Sequence, residues 1–242
     1  MTAQLNPRGD VAVLIPAAGA GVRLGPGGPK ALRRLAGEPL VVHAVRRAAA
    51  APSVRTIVIA APAADVSTVR EMLAPVAAGV TVVAGGPSRQ ESVAAALAAV
   101  PDGPEIILVH DAARPLAPTA LFESVAAAVR DGRDAVIPVL PLVDTIKEVS
   151  NEGVVLGTVD RSALRAVQTP QGFRRSVLVA AHAAAVDPLT DDAGLVEKLG
   201  VRVDCIPGSE HALKITRPFD LLVAEHLVAT DPSRGIGVRF PA

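Results

Sequence analysis

Five short apolar runs recur along the chain, separated by alanine-rich segments of helical length. The runs are VAVLIP (11–16), TIVIAA (56–61), GVTVVA (79–84), EIILVH (105–110) and DAVIPVL (134–140). Runs that are apolar throughout are typical of strands buried on both faces of a parallel sheet. The segments between them are 39–50, 65–77, 89–99 and 118–131. The alternation predicts an α/β fold, a Rossmann-like layered sheet that is mostly parallel with helices on both faces.

The C-terminal part continues this pattern less regularly. It predicts helices over 174–187, 191–199 and 217–229 and a strand over 201–206. Ligands of such sheets bind beyond the carboxyl ends of the strands. The loops after Pro16, Ala84 and His110 are therefore expected to form one rim.

Residues 142–162, LVDTIKEVSNEGVVLGTVDRS, interrupt the alternation. Two polar, alternating segments flank the stretch SNEG, which predicts a β-hairpin with a glycine-containing turn. Because the hairpin has few core-type residues, we expect it to project from the sheet as an arm. We interpret 1–242 as a single domain that carries this arm.

The charge balance is even, with 24 Lys plus Arg against 24 Asp plus Glu. This balance gives no indication of a nucleic-acid partner or of electrostatic attachment to a membrane. The N-terminal stretch has no signal-peptide core, and no apolar stretch reaches the roughly 18 residues that a membrane helix requires. The single cysteine, Cys205, excludes an internal disulfide, so the sequence predicts a cytoplasmic protein.

Residues 16–32, PAAGAGVRLGPGGPKAL, form a glycine- and proline-rich loop after the first strand. Its glycines are spaced G-x-G-x-x-x-G, which differs from the dinucleotide fingerprint. It is not a P-loop either, because Ala31 follows Lys30 where a Ser or Thr is required. Small residues allow the backbone to approach a ligand, and Arg23 and Lys30 add positive charge. The loop predicts a polyphosphate site, the alternative being a surface turn with solvated charges.

The same loop, Pro16-Ala17-Ala18-Gly19-x-Gly21-x-Arg23-Leu24 followed by Pro29-Lys30, resembles the signature loop of sugar-phosphate nucleotidyltransferases. Six further motifs follow: HDAARP (110–115), DTIK (144–147), VDR (159–161), QTPQ (168–171), TDDA (190–193) and KITRP (214–218). In this order they resemble the 2-C-methyl-D-erythritol 4-phosphate cytidylyltransferases of the non-mevalonate isoprenoid pathway. The resemblance extends from about residue 11 to residue 229.

The resemblance implies that the phosphate of methylerythritol phosphate attacks the α-phosphorus of CTP and expels pyrophosphate. Since this nucleophile is already ionised at neutral pH, the site must supply alignment and positive charge rather than a general base. The resemblance gives the catalytic roles to Arg23 and Lys30. It also implies Mg²⁺ or another divalent cation as cofactor, and a homodimer in which the arm 142–162 reaches the partner subunit.

Further site residues are implied at positions that match the family. Those expected to bind the nucleotide are Pro16, Ala17, Ala18, Gly19, Gly21, Gly86, Ser92, Asp111 and Ala112. Those expected to bind methylerythritol phosphate are Asp111, Arg114, Thr145, Arg161, Thr190 and Lys214. Asp111 ends a buried strand and is also the candidate metal ligand, because Mg²⁺ is usually held by one or two carboxylates plus substrate phosphates.

Local structure offers another explanation for several of these residues. Ser88 and Glu91 form a capping-box pattern, so we interpret Ser88 as a helix cap. Capping also competes with substrate contact at Thr190 and its neighbour Asp191. His110 is interpreted as a structural residue. A solvated surface position is the alternative for two of the charged residues, Arg161 and Lys214.

Three other functions compete with this interpretation. Ribitol 5-phosphate cytidylyltransferases share the loop and an HDAARP-type segment, and differ in the acceptor. A non-catalytic nucleotide sensor could have the same fold, although the presence of Arg23, Lys30 and Asp111 argues against it. A nicotinamide-dependent dehydrogenase needs an acidic residue at the end of the second strand, where this chain has Pro62.

Overall fold

The computed structural model describes residues 2–19, 21–25, 28–186 and 189–230. Its strands are β1 (Ala3–Gln4), β2 (Val11–Pro16), β3 (Arg34–Leu35), β4 (Glu38–Pro39), β5 (Val54–Ala61), β6 (Ala77–Ala78), β7 (Val80–Ala84), β8 (Ile106–Val109), β9 (Ala135–Pro141), β10 (Ile146–Val149), β11 (Val155–Val159), β12 (Arg165–Val167), β13 (Gln171–Arg174) and β14 (Val203–Pro207). Its α-helices are α1 (Leu40–Ala49), α2 (Val66–Leu73), α3 (Arg89–Ala98), α4 (Thr119–Arg130), α5 (Arg175–Ala184), α6 (Asp192–Lys198) and α7 (Pro218–Ala229).

The main sheet has the strand order β12-β9-β13-β8-β2-β5-β7, with β14 paired to β9. β2 is parallel to β5 and β8, β5 is parallel to β7, and β14 is parallel to β9. β13 runs antiparallel to β8 and β9, and β12 runs antiparallel to β9. The predicted mostly parallel sheet is confirmed, and antiparallel strands are inserted on one side of it.

Helices cover both faces of this sheet because successive strand residues point to opposite faces. Val11, Val13 and Ile15 of β2 belong to the core formed with α1, α2 and α4. Ala12 and Leu14 belong to the opposite core, formed with α3, α5 and α6. All five side chains are fully buried, and burying a Val, Leu or Ile side chain contributes about 1.5–3 kcal/mol. This double burial explains why β2 is an uninterrupted apolar run in the sequence.

A third apolar cluster joins the first loop to the end of the chain. Leu24 and Leu35 pack with Ile215 of the KITRP motif and with Val228 of α7. α7 begins with Pro218 at its first turn, where a proline costs no helical hydrogen bond. The cluster therefore brings the segment that carries Lys214 to the loop 16–32.

Two parts of the chain differ from the sequence-based expectation. The helix predicted over 65–77 ends at Leu73, because Pro75 cannot donate a helical hydrogen bond and restricts the residue before it. The antiparallel strands β12 and β13 were not predicted. In β13, a Cβ on Gly172 would lie 2.4 Å from Val125 Cγ1 of α4, so only glycine fits at this position. In the sequence alone, a glycine indicates a turn rather than a strand. Residue 187, the end of predicted helix 174–187, lies outside the described residues.

The segment 142–162 forms the predicted hairpin. β10 and β11 pair antiparallel as a separate two-stranded sheet, and the amide of Gly153 donates to the Ser150 carbonyl oxygen at 3.0 Å in the turn. Apolar side chains of this hairpin are exposed, namely Val143, Val149, Val154, Val155 and Leu156. An isolated two-stranded hairpin is only marginally stable in water.

Candidate active site

A cavity of about 440 Å³ lies at the carboxyl ends of β2, β7 and β8. Its walls come from the loops that follow these strands, so the expected common rim is confirmed. The predicted site residues that line it are Pro16, Ala17, Ala18, Gly19, Gly21, Arg23, Lys30, Gly86, Ser92, Asp111, Ala112 and Lys214. The fold therefore brings most of the expected nucleotide-binding residues to one cavity.

The loop 16–32 contains short 3-10 turns, and the first α-helix begins only at Leu40. The loop is closed at its base by the amide of Lys30, which donates to the Gly19 carbonyl oxygen at 3.1 Å. Three loop residues, Ala20, Pro26 and Gly27, lie outside the described residues. The described loop residues that line the cavity include the small residues Ala17, Ala18, Gly19 and Gly21 together with Arg23 and Lys30.

Gly21 determines how closely the two halves of this loop approach. Its φ is +71°, and a Cβ there would lie 2.6 Å from the Cβ of Lys30. Backbone at positive φ favours glycine, and the close approach leaves no space for a larger residue. Gly21 thereby places the Lys30 side chain at the cavity wall.

The loop after β7 forms another wall of the cavity. A Cβ on Gly85 would lie 2.8 Å from the Cβ of Ala18 and 2.8 Å from the Oγ of Ser92. The Ser92 hydroxyl donates to the Ser88 carbonyl oxygen at 2.9 Å. The two loops therefore contact each other directly through small residues, and Ala18, Gly86 and Ser92 line the cavity beside this contact.

Ser88 begins α3 with the predicted capping box. The amide of Glu91 donates to Ser88 Oγ at 3.1 Å, and the amide of Ser88 donates to Glu91 Oε2 at 2.9 Å. Both bonds satisfy amides that a helix N-terminus leaves unpaired. The interpretation of Ser88 as a cap is confirmed, and the cap fixes the direction in which the next residue, Arg89, leaves the helix.

Asp111 is the acidic side chain of the cavity wall. Lys214 Nζ lies 2.7 Å from its Oδ2, and Arg89 Nε lies 3.3 Å from its Oδ1. Burial raises the pKa of Asp111, but the charges of Arg89 and Lys214, the hydrogen bond from Lys214 and the charge of Arg114 outweigh it, so the pKa lies well below its usual range. The carboxylate is therefore ionised throughout the physiological pH range.

Thr169 and His110 support Asp111 from behind. The amide of Asp111 donates to Thr169 Oγ1 at 3.0 Å, and this hydroxyl lies 3.1 Å from His110 Nδ1. His110 Nε2 lies 3.2 Å from the Arg114 carbonyl oxygen. Since a carbonyl only accepts, Nε2 carries the proton and Nδ1 accepts from Thr169. Burial lowers the pKa of His110 to about 4, so the ring is neutral and has a structural role.

Positive charge dominates the cavity. Burial, followed by the charge of Lys214, lowers the pKa of Lys30 to about 8, although the charge of Asp111 opposes this change. Arg23 lowers it further. A lysine whose pKa is lowered by burial and by other cations gains free energy when an anion enters. The cavity therefore favours a polyanionic ligand.

Four of the predicted site residues do not line this cavity. Arg114 is buried and donates to the Ala212 carbonyl oxygen at 2.6 Å and to the Val167 carbonyl oxygen at 3.0 Å. Its observed contacts hold two chain segments together, so a substrate role for Arg114 stays a prediction. The contact with residue 212 uses only the backbone carbonyl group of Ala212.

The other three residues outside the cavity are exposed: Thr145, Arg161 and Thr190. Arg161 follows the hairpin and donates to the Val143 carbonyl oxygen. Thr190 precedes α6, but the N-cap of that helix is Asp191, whose Oδ1 accepts from the Gly194 amide at 3.1 Å. Capping at this helix therefore belongs to Asp191.

Sequence reasoning missed three residues around Asp111. Arg89 lines the cavity, Asp192 pairs with Arg89, and Thr169 holds the Asp111 backbone. The QTPQ and TDDA motifs contain Thr169 and Asp192, and a cation directly after the cap of α3 was a further signal. Neither motif alone indicates that its residue lies beside Asp111.

The residues present suit a metal that arrives with a nucleotide. Among the described residues, no group of three or more His, Cys, Asp or Glu side chains is arranged to hold a metal ion. A single cavity carboxylate, Asp111, is compatible with Mg²⁺, which takes most of its ligands from phosphates and water. Across the described part of the chain, no helix is both long and apolar enough to span a bilayer.

Positive charge, walls of small residues and one carboxylate at the carboxyl edge of such a sheet suit phosphoryl chemistry on a nucleotide, which places the chain in the class of nucleotidyltransferases. Residues 11–230 match the family model described as 2-C-methyl-D-erythritol 4-phosphate cytidylyltransferase. The chain belongs to this family, as its motifs led us to expect.

Individual relatives agree with the family match. The 2-C-methyl-D-erythritol 4-phosphate cytidylyltransferase of Streptomyces avermitilis is 52% identical over 228 residues, covering 90% of this chain and 91% of the relative. That of Saccharopolyspora erythraea is 53% identical over 224 residues, covering 91% of this chain and 100% of the relative. The crystal structure of the Thermus thermophilus enzyme is similar with a TM-score of 0.70 at 37% identity, covering 90% of this chain and 98% of that chain.

Proposed function

We propose that the cavity around Lys30 and Asp111 is where this chain transfers the cytidylyl group of CTP to 2-C-methyl-D-erythritol 4-phosphate. The products are 4-diphosphocytidyl-2-C-methyl-D-erythritol and pyrophosphate. The chain is a cytidylyltransferase of isoprenoid precursor biosynthesis, as its family is. The observation that carries the choice of site is the convergence of Lys30, Lys214, Arg89 and Asp111 on one cavity at the sheet edge.

The reaction forms a bond between the acceptor phosphate oxygen and the α-phosphorus of CTP, and breaks the bond from that phosphorus to the oxygen of pyrophosphate. Both reactants are polyanions, so neutralisation and alignment are the main requirements. Arg23 and Lys30 lie along the loop wall. They stabilise the charge that develops on the α-phosphate and on the leaving pyrophosphate.

Asp111 is the proposed ligand of Mg²⁺. When bound with the nucleotide, this ion would supply additional positive charge to the triphosphate. Asp111 is ionised because neighbouring cations hold its pKa low, and Thr169 fixes its backbone. Lys214 contacts Asp111 through an exposed side chain and is positioned to bind a phosphate of the acceptor.

The part of the cavity lined by Ala17, Ala18, Gly86 and Ser92 is the proposed subsite of the base. The described residues around it are small, and Ser92 presents a hydroxyl close to Gly86. A flat ring held by backbone groups needs small residues around it, because they let the backbone approach the ring. Pro87 has no amide hydrogen to offer the base, so the neighbouring residues Ala17, Ala18 and Gly86 supply the backbone contacts.

The acceptor site requires a second copy of the chain in this proposal. Thr145 and Arg161 belong to the hairpin region 142–162 and do not line the cavity of their own chain. The hairpin exposes apolar side chains and forms its own sheet, and apolar surface of this kind favours association. We place Thr145, Arg161 and Thr190 with the acceptor in a homodimer.

The proposal also covers the domain organisation and the cellular location of the chain. We propose that the chain works as one nucleotidyltransferase domain, with the hairpin as its dimerisation arm. We also propose a cytoplasmic location, since a single cysteine cannot form an internal disulfide and disulfides are rare in the reducing cytosol.

Pyrophosphate release tests the proposed reaction. The chain is incubated with Mg²⁺ and each of CTP, ATP, GTP and UTP, with either 2-C-methyl-D-erythritol 4-phosphate or D-ribitol 5-phosphate as acceptor. We expect release with CTP and methylerythritol phosphate. If pyrophosphate is released only with ribitol phosphate, the acceptor is ribitol 5-phosphate and the proposed acceptor is wrong. If no pair of substrates releases pyrophosphate, the chain is better explained as a nucleotide sensor.

Mixing two inactive variants tests the crossing of the arm. Lys30→Met removes a cavity cation, and Arg161→Ala removes an arm cation. If the arm serves the partner's cavity, one site in each mixed dimer keeps both residues, so a refolded or subunit-exchanged equimolar mixture regains about a quarter of wild-type activity. If the arm served its own chain, every site would lack one residue and the mixture would stay inactive.

A further inference from the structure

Arg89 is shared between two acidic residues at the cavity. Its Nη1 lies 2.6 Å from Oδ2 of Asp192, and its Nε lies 3.3 Å from Oδ1 of Asp111. Short charge-assisted hydrogen bonds are the stronger ones. The contact with Asp192 is therefore the anchor, and the longer contact with Asp111 is the one that reaches into the cavity.

Asp192 is built to hold this anchor. Its side chain is 1% exposed, and its Oδ1 accepts from His182 Nε2 at 3.0 Å. The neighbouring backbone is fixed as well, because the amide of Ala193 donates to Gln171 Oε1 at 3.2 Å. Both carboxylate oxygens of Asp192 are thus occupied in a buried position, and the residue cannot follow Arg89 if Arg89 moves.

The two cations on Asp111 differ in their freedom to leave. Lys214 has a flexible side chain that is 42% exposed, whereas the side chain of Arg89 is 25% exposed and bound to Asp192. A cation that binds Asp111 must displace one of them. Lys214 can move to solvent or to a phosphate at little cost, whereas Arg89 would have to break its anchor.

We infer that Arg89 is a positioning residue for the metal site: anchored on Asp192, it fixes Oδ1 of Asp111 and leaves Oδ2, now paired with Lys214, for the divalent cation. This inference rests on the proposed function, since it assumes that Asp111 receives Mg²⁺ with CTP. According to this inference, Asp192 holds Arg89 back. Without Asp192, Arg89 would pair with both carboxylate oxygens of Asp111 and would block the metal.

The test is a double-mutant cycle on Asp192 and Arg89. Asp192→Asn keeps the shape and an acceptor for His182, but turns a donor toward Arg89, which is then expected to pair with Asp111. Calorimetry measures the dissociation constant of CTP without acceptor, once in EDTA and once in saturating Mg²⁺. The ratio used below is the constant in EDTA divided by the constant in Mg²⁺, so a high ratio means that the metal strengthens CTP binding. Because hydrogen bonds between charged groups are strong, we expect this ratio to fall about tenfold in Asp192→Asn.

Removing the competing cation is expected to restore the metal effect. In Asp192→Asn/Arg89→Gln the ratio returns to within about threefold of wild type. Arg89→Gln alone lowers turnover at saturating Mg²⁺ and CTP, because Asp111 loses its support, but it does not lower the ratio, because the loss of a positive charge beside Asp111 strengthens the attraction of the carboxylate for the metal. The matched control is Asp10→Asn, which breaks the exposed pair with Arg130 and leaves the ratio unchanged.

The outcomes separate this inference from the proposed function. If Asp192→Asn leaves the ratio unchanged while wild-type binding depends on Mg²⁺, the inference is wrong and the proposed function stands. If the double variant is as impaired as Asp192→Asn, Asp192 is merely structural and the inference is again wrong. If Arg89→Gln alone lowers the ratio, Arg89 does not compete with the metal and the inference is wrong. This measurement is possible even if Asp192→Asn does not fold. Wild-type CTP binding that is indifferent to Mg²⁺ overturns this inference and the proposed metal role of Asp111, whereas the proposed reaction fails only if no pyrophosphate is released.

Discussion

Replacing Lys30 with Met is expected to stabilise the free protein while it removes most of the activity. Lys30 carries a positive charge in a partly buried wall beside Lys214 and Arg23, and burial is the largest cause of its lowered pKa. Met has a similar length and keeps the apolar stem in place. The positive charge of Lys30 lowers the free energy of unfolding of the ligand-free protein, and the substitution removes this charge. The charge contributes favourably only when a triphosphate is bound.

The size of the effect follows from the pKa of Lys30. A change from 10.5 to about 8 corresponds to about 3 kcal/mol, at about 1.4 kcal/mol per pKa unit. Because the site is partly open, solvent screening reduces this to about 1–2 kcal/mol. For a chain of this size, that gain raises Tm by about 2–8 °C. Turnover falls by roughly 10²–10³, the usual effect of losing one preorganised cation or donor.

The pH dependence gives the sign of the effect. The folded-state pKa of Lys30 lies below its unfolded value, so wild-type stability is lost as pH falls from about 10.5 through about 8. The Tm advantage of Lys30→Met is therefore full at pH 7 and disappears near pH 10.5. Differential scanning calorimetry at pH 7 and pH 10 measures it, with Lys198→Met as an exposed control. A Tm of Lys30→Met equal to or below wild type at pH 7 would refute the reasoning.

Three further substitutions have defined outcomes. Gly21→Ala places a Cβ against Lys30 at a positive φ, so we expect a loss of about 1 kcal/mol and a roughly ten- to hundredfold lower turnover; normal kinetics would show that the loop is not held by this contact. Arg114→Met removes the donor to the buried Ala212 carbonyl oxygen and to the partly buried Val167 carbonyl oxygen and is expected to cost about 2–4 kcal/mol in urea unfolding; a loss below about 0.5 kcal/mol would show that Arg114 does not hold these two segments together. Ser88→Ala removes the cap of α3 and is expected to cost about 1 kcal/mol with turnover close to wild type; a large loss of turnover at unchanged stability would give Ser88 a direct role.

The main sheet could be predicted from the sequence because its strands are buried on both faces. β2 supplies alternate residues to two cores, so every position in it had to be apolar and the run was recognisable. The helix predicted over 65–77 was too long because its apolar pattern continues past Pro75. The strand β13 was missed because its glycine serves packing against α4, and such a contact between distant segments leaves no local pattern.

The cavity could be predicted only in part for a related reason. Loop residues such as Ala17 and Ala18 follow β2 directly, so topology alone places them at the rim. The pair of Arg89 and Asp192 joins residues 103 positions apart, and only the folded chain brings them together. Conversely, Arg114 lies in a recognised motif, but its guanidinium serves two carbonyl oxygens outside the cavity.

In the proposed reaction, the α-phosphate of CTP is attacked in the cavity between Lys30 and Asp111. A crystal structure of the chain with Mg²⁺ and a non-reactive CTP analogue tests this directly. We expect phosphate oxygens about 3 Å from Lys30 Nζ and the metal on Oδ2 of Asp111, with Lys214 released from that oxygen. A triphosphate bound elsewhere, or a metal that does not contact Asp111 while Lys214 keeps its 2.7 Å contact, would contradict it.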